Sequence, residues 1–574
     1  MEWWGAIRTQ RNNELCMRIP FHFSLSVVLS PPPPLPRPFF SPQCRRPTPP
    51  AQPDAHMAST LARRASTALG RSLSTTAQLS AGDHHPANPS HPPALLLRDF
   101  IARSLATYFA SAAPLGSGAG LPPMPSMAGQ ADYTRAVAAL YAAQPPGSWL
   151  TPSELFSPHY GRAVAAFIVG HHAANSVNGS PLHIIEVGSG RGTLARDVLD
   201  ALKANRSGGG KSDSERGGSL YGRTRYATLD VSPGLAQAAR TTVRAAGHGP
   251  GVFRQALGDA CEAGGWAAAA GALLVGDDEA RPGAARPATP PPPATPYILA
   301  CEVLDNLPHD RVERVGGGGG GGGGAWAQAM VRWGGPGSPA PLEELHPLAD
   351  PVVAACLAAA LEGEGGAAAP PPPPPPPFLA RLGDWVVGEA PPPWSLPLPT
   401  HPSRAGCLFL PTGAARFLSA VGAAFPNHTL LALDFDALPS MVRGGGLAAW
   451  HGAAGSSSST CWGAPLVSGP PTPGAPAVDY PHILAVNPPG SADIFFPSDF
   501  ALLARLARQV AAAGKGPPAV STLVMKSADF MRRHAPDLAA TATASGWNPL
   551  VDDFANTAAL VVERRGVGNV ENKT

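Results

Sequence analysis

A run of glycines preceded by an acid is the first feature of this sequence that could do chemistry. Glu186-Val-Gly188-Ser-Gly190-Arg-Gly192 overlaps the end of the apolar run Leu182–Val187 and precedes a stretch with helical spacing. Glycines let the backbone turn tightly and approach a ligand closely. A dinucleotide site would show GxGxxG, whereas GxGxG with an acid two residues ahead is typical of S-adenosylmethionine sites. The carboxylate of Glu186 would hold the amino group of the methionine moiety. A purely structural strand-to-helix turn is the alternative.

Two further acids stand at the ends of the next predicted strands. Asp230 follows the strand Tyr226–Leu229, and Asp259 follows the strand Val252–Leu257. The number of residues between Glu186 and Asp230 matches that expected for a ribose-binding acid only if the polar stretch 204–223 is an insert. We predict that Asp230 binds the ribose hydroxyls and that Asp259 accepts from the adenine amino group, so that both complete the cofactor site. Either acid alone could be a surface or capping residue.

A third pair of acids follows the predicted strand Tyr297–Cys301. In an open α/β sheet the carboxyl ends of the strands face the ligand crevice, so Glu302 and Asp305 should lie beside the methyl donor. Carboxylates at that position could pair with a guanidinium and orient its nitrogen toward the methyl group. We predict these two as the catalytic residues. The alternative is that 305–308 is a helix-capping turn, and His309 could be a surface residue or a general base.

The elements that would position these residues alternate along the chain. Alternating strands and helices predict a parallel sheet covered on both faces, that is, an α/β fold with a Rossmann-like class I methyltransferase sheet. The predicted strands are Leu182–Val187, Tyr226–Leu229, Val252–Leu257, Tyr297–Cys301 and Leu430–Phe435, and the predicted helices are Leu95–Ala110, Tyr133–Tyr141, Tyr160–Val169, Thr193–Lys203 and Leu235–Ala246.

Composition and charge exclude several classes of protein. The 574 residues include 70 Pro and 64 Gly, concentrated in tracts such as Gly316–Gly324 and Pro370–Pro377, which indicates one enzyme-sized fold with low-complexity inserts. The net charge of +2 does not indicate the strongly basic surface that nucleic-acid binding needs. Asn487-Pro-Pro-Gly490 resembles the motif of nucleic-acid amino-methyltransferases but lacks its aromatic residue, so we interpret it as a loop.

Cysteine spacing and hydropathy exclude three further features. The seven cysteines lie far apart, without CxxC or Cys/His clusters, so the sequence predicts no metal site, no disulfide framework and a reducing compartment. No apolar run of about 18 residues occurs, so a membrane-spanning segment is not expected.

The stretch Met57–Ala77 has the composition of an organelle transit peptide. It contains Arg63, Arg64 and Arg71, is rich in Ser and Thr, and the first acid after Met57 is Asp83. On a helix its leucines and arginines lie on opposite sides, which is typical of import into the mitochondrial matrix or, less favoured, the plastid. Because such a signal acts at the N-terminus, we expect translation to start at Met57; two isoforms are the alternative.

These observations predict a chain organised into six segments around one α/β core. They are a leader (1–56), a transit peptide and linker (57–94), a helical N-terminal region (95–180), the cofactor-binding core (181–315), Gly/Pro-rich inserts with a substrate-side subdomain (316–428), and the remainder of the methyltransferase fold (429–565).

The chain resembles the MidA-like family of methyltransferases, which includes a mitochondrial arginine methyltransferase that assists respiratory complex I assembly. The match is closest to its divergent plant-type branch, and it differs from the usual family pattern at Ser189, where Pro is common, and at Asp230, where Glu is common. The matching strings are Leu150–Phe156 with Tyr160-Gly161, Glu186–Leu194, Leu229–Leu235, Glu302–Pro308, Leu433-Asp434, Ala492–Ile494 with Asp499-Phe500, and Asp553-Phe554.

The resemblance implies S-adenosylmethionine as cofactor and a protein substrate, an arginine of a complex I subunit. Two alternatives stay open: a non-catalytic complex I assembly factor that keeps the fold, and a small-molecule methyltransferase. The oligomeric state does not follow from the sequence.

Overall fold

The computed structural model describes most of the chain between Pro93 and Arg565. The described residues are 93–110, 121–144, 150–177, 179–205, 219–274, 295–315, 325–335, 340–362, 406–438, 461–470, 478–480, 482–486, 488–512, 519–554 and 556–565.

Several sequence predictions concern residues outside these ranges. The leader 1–56, nearly all of the transit segment (57–92), the tracts Gly316–Gly324 and Pro370–Pro377, and Asn487 lie outside the described residues. The segment boundaries therefore stay predictions.

Strands and helices alternate through the first half of the described chain, and strands dominate its middle. The strands are β1 (Ala94–Leu96), β2 (Leu182–Val187), β3 (Thr224–Asp230), β4 (Phe253–Leu257), β5 (Tyr297–Cys301), β6 (Asp310–Val315), β7 (Ala325–Arg332), β8 (Leu342–Pro347), β9 (Cys407–Leu410), β10 (His428–Phe435), β11 (Cys461–Trp462), β12 (Leu466–Gly469), β13 (Val478–Asp479), β14 (Asp493–Phe495), β15 (Ala519–Lys526) and β16 (Thr557–Arg565). The helices are α1 (Leu97–Tyr108), α2 (Gln130–Ala142), α3 (Pro152–Leu155), α4 (His159–Asn175), α5 (Thr193–Ala204), α6 (Pro233–Ala245), α7 (Ala263–Leu274), α8 (Pro351–Leu361), α9 (Thr412–Ala424), α10 (Phe500–Ala512), α11 (Ser527–His534) and α12 (Pro549–Asp552).

The largest sheet contains seven strands in the order β15-β16-β10-β5-β2-β3-β4. The five strands from β10 to β4 run parallel to their neighbours. Strand β16 is antiparallel to both β10 and β15. The chain thus has the mixed α/β architecture that the alternation of elements predicted. Because β2 is flanked by β3 on one side and by β5 on the other, the strand order reverses at β2, and such a point is where open sheets form a ligand crevice.

The core lies on both faces of this sheet, as strand β2 illustrates. Leu182 and Ile184 pack into one apolar cluster, whereas Ile185 and Val187 pack into the other, and all four side chains are buried. Successive side chains of a strand point to opposite faces, so an unbroken apolar run is what a strand covered by helices on both sides needs. Strand β5 is buried at all five positions for the same reason.

A second sheet, which the sequence did not predict, combines strand β1 with strands that follow β5 in the chain. Its strands follow the order β1-β7-β6-β9-β11, with β8 paired to β7, and a separate three-stranded sheet has the order β13-β12-β14. The strands are short and partly polar, and they are separated by Gly- and Pro-rich segments. Periodicity alone therefore gave no clear signal for them.

Helix α1 is fixed to this second sheet by an ion-pair cluster. The buried side chain of Arg98 donates to Asp310 at 2.8 Å and to Asp350 at 2.9 and 2.7 Å. Asp310 also accepts hydrogen bonds from the backbone N–H of Arg98 and the hydroxyl of Thr412. Two carboxylates thus pair with one buried guanidinium, and removing Arg98 would leave both of them without a compensating charge. The first residues of the helix are therefore held in one position.

The predicted elements of the core are confirmed with small changes at their ends. Strands Leu182–Val187 and Tyr297–Cys301 have the predicted bounds, and the helix predicted from Tyr160 extends from His159 to Asn175. Among the described residues, every helix is too short or too polar to span a bilayer. The same residues bring no three His, Cys, Asp or Glu side chains together in a way that could hold a metal ion.

One prediction about cysteines was wrong. Cys407 and Cys461 form a disulfide, although they are 54 residues apart in the chain. They occupy directly paired positions on the parallel strands β9 and β11, which brings their Cα atoms to 4.5 Å. Such a separation permits a disulfide. Sequence spacing could not show it, because both strands belong to the sheet that the sequence did not predict.

Candidate active site

A cavity of about 240 Å³ lies at the carboxyl ends of β2, β3, β4 and β5. This is the edge at which parallel α/β sheets bind ligands. We call it the main cavity. Its lining consists of the loop after β2 (Glu186, Val187, Gly188, Ser189, Gly190, Arg191, Thr193, Leu194), residues after β3 (Leu229, Asp230, Val231, Leu235), after β4 (Gly258, Asp259, Ala260, Cys261) and after β5 (Cys301, Glu302, Val303, Asn306, Leu307, Pro308), and side chains before the sheet (Ala102, Leu105, Ala106, Phe109, Thr151, Ser153, Glu154).

The loop after β2 has a backbone that favours glycine. Gly188 has φ +63° and Gly190 has φ +52°, in the left-handed region that side chains rarely adopt. A Cβ on Gly188 would lie 2.7 Å from Cγ2 of Val303, which itself lines the main cavity. The first two glycines of the motif therefore line the cavity, and at Gly188 a larger residue would displace a cavity wall.

Gly192, the third glycine of the motif, has another role. It does not line the main cavity. It precedes helix α5 with φ +80°, and a Cβ there would lie 2.7 Å from the Cα of Ala239 in helix α6. The structure thus places Gly192 where two helices approach closely, apart from the other predicted cofactor residues.

Glu186 lies at the base of the main cavity and is almost fully buried. Its Oε2 accepts a hydrogen bond of 2.7 Å from the hydroxyl of Tyr226. Burial raises the pKa of Glu186 to about 7, although the bond from Tyr226 opposes this shift. Tyr226 was missed as a site residue, because in the sequence it is one more aromatic residue of a predicted strand. A cationic group in the cavity would stabilise the ionised carboxylate.

Asp230 and Asp259 also line the main cavity, as predicted from their strand-end positions. Oδ1 of Asp230 accepts from the N–H of Ser232 at 2.8 Å, while its buried Oδ2 has no hydrogen-bond partner among the described residues. Burial raises the pKa of Asp230 to about 6. Oδ1 of Asp259 accepts from the N–H of Cys261 at 2.8 Å. Each carboxylate is thus held by the backbone two residues further on.

Glu302 is the one non-glycine residue with a left-handed backbone among the described residues, with φ +58°. Its N–H donates to the carbonyl of Leu433 at 2.8 Å, and its Oε1 accepts from the N–H of Ser153 at 3.2 Å. Desolvation and the neighbouring acids raise the pKa of Glu302 well above its ordinary value. A strained residue of this kind costs about 1–3 kcal/mol and tends to occur at functional sites.

Asp305 lies apart from Glu302. It is buried in the short 3-10 turn Leu304–Asn306 and does not line the main cavity. Its Oδ1 has no hydrogen-bond partner among the described residues. Burial, reinforced by nearby acids including Asp434, raises its pKa well above the ordinary range.

The turn after β5 is fixed by Asp434, at the end of β10. Oδ2 of Asp434 accepts from the backbone N–H of Val303, Leu304 and Asp305 at 3.0, 2.7 and 3.2 Å. One carboxylate thus satisfies three donors that would otherwise lack partners at the start of a turn. Asp434 therefore holds the loop that carries Glu302 in its conformation. In the sequence, its position at the end of a predicted strand was the feature that could have marked it as a site residue.

The segment Thr151–Glu154 forms one rim of the main cavity. Thr151 and Glu154 cap the short helix α3 reciprocally: the Thr151 hydroxyl accepts from the N–H of Glu154, and Glu154 accepts from the N–H of Thr151. Burial raises the pKa of Glu154 to about 7. The Thr-x-x-Glu pattern is a capping-box signature visible in the sequence, but it gave no indication that Ser153 would contact Glu302.

Helix α1 covers another part of the main cavity. Ala102, Leu105 and Ala106 line it, followed by Phe109 just after the helix. Sequence reasoning missed this role, because the helix lies about 80 residues before the glycine motif and carries no chemical group toward the cavity. Its contribution is an apolar wall that keeps water away from the enclosed charges.

His309 is neither at the surface nor in the main cavity. It is buried, its ring stacks on Phe496 with centroids 3.9 Å apart, and its Nδ1–H donates to the carbonyl of Leu307 at 2.8 Å. Burial lowers its pKa to about 4. These contacts make His309 a core residue, so its interpretation as a surface residue was wrong.

Two solved structures from Burkholderia thailandensis are similar to this chain. One is a COG1565 superfamily member bound to S-adenosyl-homocysteine, which is 16% identical, with a TM-score of 0.43, and the match covers 90% of this chain and 95% of that chain. The other is the native crystal structure of an uncharacterized COG1565 superfamily protein, which is 15% identical, with a TM-score of 0.42, covering 90% of this chain and 96% of that one. No curated protein matches the chain.

A family model described as "Putative S-adenosyl-L-methionine-dependent methyltransferase" matches residues 163–517, which is more than half of the chain. The matched range includes all four strands whose ends form the main cavity. The residues present fit this cofactor. Gly188 leaves room where a Cβ would close the cavity, and the unpartnered Oδ2 of Asp230 can accept a hydroxyl. The acids complement a cationic sulfonium and ammonium. The chain belongs to this family of methyltransferases, and its cofactor is S-adenosylmethionine.

Proposed function

We propose that this chain is a protein-arginine methyltransferase with a Rossmann-like class I sheet, and that it acts in mitochondria on a subunit of respiratory complex I. The observation that carries the arginine assignment is the strained, partly buried carboxylate of Glu302 at the edge of the main cavity. An acid in this position complements a cationic acceptor. It offers little to an apolar carbon.

The cofactor would be held by acids at the ends of three neighbouring strands. Glu186 would bind the amino group of the methionine moiety, Asp230 the ribose hydroxyls and Asp259 the adenine amino group, while Gly188 and Gly190 give the backbone room to approach. The cofactor supplies an electrophilic methyl group when bound. The protein contributes mainly position, since methyl transfer depends on bringing acceptor nitrogen and methyl group together in line.

Glu302 would orient the acceptor. A guanidinium has donors in a planar fork and no acceptor, so a carboxylate can fix its plane and partly localise its charge. Glu154 lies on the same side of the main cavity, and its N-terminal neighbour Ser153 donates its N–H to Glu302. Two acids with raised pKa values therefore stand close together, and a cation between them would relieve their mutual repulsion.

The mitochondrial and complex I parts of the proposal rest on the sequence. The basic, acid-free stretch Met57–Ala77 supports import into the matrix, and the resemblance to the MidA-like family supports a complex I subunit as the substrate.

Methyl transfer into fractionated organelles tests the proposal. The full-length chain and methyl-labelled S-adenosylmethionine are incubated with mitochondrial, plastid and cytosolic fractions, and labelled peptides are identified by mass spectrometry. We expect label on an arginine of a complex I subunit in the mitochondrial fraction, and none when excess S-adenosylhomocysteine competes. Label only on lysine or on a small molecule would overturn the arginine assignment, and an acceptor only in plastids or cytosol would overturn the compartment.

A further inference from the structure

Glu186, at the base of the main cavity, is hydrogen-bonded to a tyrosine that has no role in the proposed function. The hydroxyl of Tyr226, in strand β3, donates to Oε2 of Glu186 at 2.7 Å. Both side chains are buried. Among the described residues, Tyr226 is the one hydrogen-bond donor to Glu186. A single buried contact therefore holds the carboxylate that would meet the cofactor.

The pairing of β2 with β3 explains how this tyrosine reaches the acid. Glu186 is directly opposite Thr228 on β3, and Tyr226 precedes Thr228 by two residues. Residues two apart on a strand point to the same face of the sheet, so the long side chain of Tyr226 spans the diagonal to Glu186. Its ring packs near Phe253 in an apolar cluster, and the hydroxyl is the polar end. A phenylalanine would fill the same space without donating.

The hydrogen bond favours the ionised form of Glu186. Burial raises the pKa of Glu186 to about 7, the bond from Tyr226 opposes this shift, and the nearby Asp230 reinforces it. Burial and the carboxylate raise the pKa of Tyr226 well above its ordinary value, so the phenol remains a donor while Glu186 titrates. An ammonium group pairs much more strongly with a carboxylate than with a carboxylic acid. The bond thus increases the binding-competent form near neutral pH.

We propose that Tyr226 is a positioning residue for cofactor binding, which keeps Glu186 ionised and oriented toward the ammonium group of S-adenosylmethionine. This inference rests on the role of Glu186 in the proposed function and deepens it. Oε2 of Glu186 accepts from the phenol, whereas Oε1 has no donor among the described residues and is available to the ligand. Tyr226 does not line the main cavity, so it acts through Glu186 and not by contact with the cofactor.

Other titratable groups lie near Glu186 and must be separated from this effect. Asp230 lies on the same strand as Tyr226, and Cys301, at the end of β5, faces Glu186 from the other side. Burial raises the pKa of Asp230 to about 6 and that of the Cys301 thiol well above its ordinary value. Three further charged residues line the same cavity, namely Glu154, Arg191 and Glu302. All of these groups are present in both wild type and Tyr226→Phe, so their contributions cancel in the ratio of the two affinities.

The affinity of S-adenosylhomocysteine as a function of pH tests the inference. This ligand keeps the ammonium group but has no sulfonium, and calorimetry gives its affinity for the full-length chain. In Tyr226→Phe, the pH below which the affinity falls should rise by about one pH unit, the effect of losing one hydrogen bond to a charged group. The variant should therefore bind about fivefold to tenfold more weakly than wild type at about pH 6.5, and within about twofold of it at about pH 8.5.

A shortened ligand and a second tyrosine supply matched controls. Methylthioadenosine lacks the amino and carboxyl groups of the cofactor, so Tyr226→Phe should bind it within about twofold of wild type at each pH, which also verifies folding. Tyr297 is likewise a buried tyrosine of the same sheet, and its hydroxyl lies 2.8 Å from Nδ1 of His171, but it does not line the main cavity. Tyr297→Phe should leave the pH profile of S-adenosylhomocysteine binding unchanged.

A double variant shows whether Tyr226 acts through Glu186. Glu186→Gln should weaken S-adenosylhomocysteine, and adding Tyr226→Phe to it should produce no further pH-dependent difference. An unchanged profile in Tyr226→Phe, a loss of affinity that is the same at every pH, or an equal loss for methylthioadenosine would overturn the inference. If Glu186→Gln binds S-adenosylhomocysteine as tightly as wild type does, the role of Glu186 in the proposed function fails together with this inference. The expected pH shift, with methyl transfer only to acceptors other than arginine, would keep this inference and overturn the arginine assignment.

Discussion

The loops after β2 and β5 both border the main cavity, but they reach their conformations by different means. In the loop after β2, the left-handed residues are the three glycines Gly188, Gly190 and Gly192. A local bond of 2.8 Å from the N–H of Gly192 to the carbonyl of Ser189 closes the turn. In the loop after β5, the left-handed residue is Glu302, which has a side chain.

The second loop needs partners from distant parts of the chain. Ser153, 149 residues before Glu302, holds its carboxylate, and Asp434, 131 residues after Val303, holds the backbone of the turn. The N–H of Phe496 donates to the carbonyl of Asp305 as well. Glycines adopt left-handed backbone angles at little energetic cost. A residue with a side chain keeps such angles only where several surrounding contacts hold it in place. The conformation of the glycine loop is thus encoded locally, whereas the loop that carries Glu302 depends on contacts that the fold assembles.

The largest effect should come from the first loop. Gly188→Ala should weaken S-adenosylmethionine at least about a hundredfold, because a Cβ there would lie 2.7 Å from Val303 and the backbone has φ +63°. Isothermal titration calorimetry measures the affinity.

Gly179→Ala separates backbone strain from loss of space. Gly179 has φ +87°, but a Cβ there would meet no atom within 4 Å. This variant should bind the cofactor as wild type does while melting at a lower temperature. Equal losses of affinity in both variants would show that strain, and not the shape of the main cavity, explains the first result.

The second loop should separate catalysis from cofactor binding. Glu302→Gln keeps nearly the same shape but removes one charged partner of the acceptor, which contributes roughly 1.5–3 kcal/mol. Methyl transfer should therefore fall about tenfold to a hundredfold, with cofactor affinity within a few-fold of wild type. Labelled-methyl kinetics and calorimetry give the two quantities.

Asp305→Asn is the comparison within the same loop. Asp305 is buried outside the main cavity, so its replacement should leave turnover close to wild type. If Asp305→Asn lost as much turnover as Glu302→Gln with an unchanged melting curve, the acceptor would contact Asp305, as the sequence predicted.

The smallest expected effect is a dependence of stability on pH. Burial raises the pKa of Glu186 to about 7, above its unfolded value near 4.5. Because Glu186 holds a proton more tightly in the folded chain than in the unfolded chain, protonation of Glu186 stabilises the folded state. This stabilisation is complete below pH 4.5 and is lost as pH rises through about 7. The melting temperature of the cofactor-free protein should fall over this range. S-adenosylmethionine, a cation, should lessen the fall. The melting temperature of Glu186→Gln should fall less than that of wild type, while Asp230 and Glu154, whose pKa values are also raised, keep part of the slope. The same pH dependence in wild type and Glu186→Gln would contradict the assignment.

Much of the core could be predicted because its signals are local. Leu182–Val187 and Tyr297–Cys301 are apolar runs that suit strands buried on both faces, and the glycine motif between β2 and α5 can be recognised from spacing alone. The sequence also predicted that acids at the ends of strands face the ligand crevice, and Asp230 and Asp259 do line the main cavity. The second sheet and the Cys407–Cys461 disulfide were missed, since pairing between remote short strands leaves no periodic pattern.

The sequence by itself determined the cofactor and the family, because a glycine turn and the acids beside it lie within single loops and carry their conformational preferences with them. Only the tertiary structure decided which neighbours complete the site. It placed Glu302 at the edge of the main cavity and Asp305 outside it, gave Gly192 a packing role, and brought helix α1 and Ser153 to the rim. These assignments depend on contacts between residues that are far apart in the chain, such as Gly192 with Ala239 and Ser153 with Glu302, and such contacts exist only once the chain has packed.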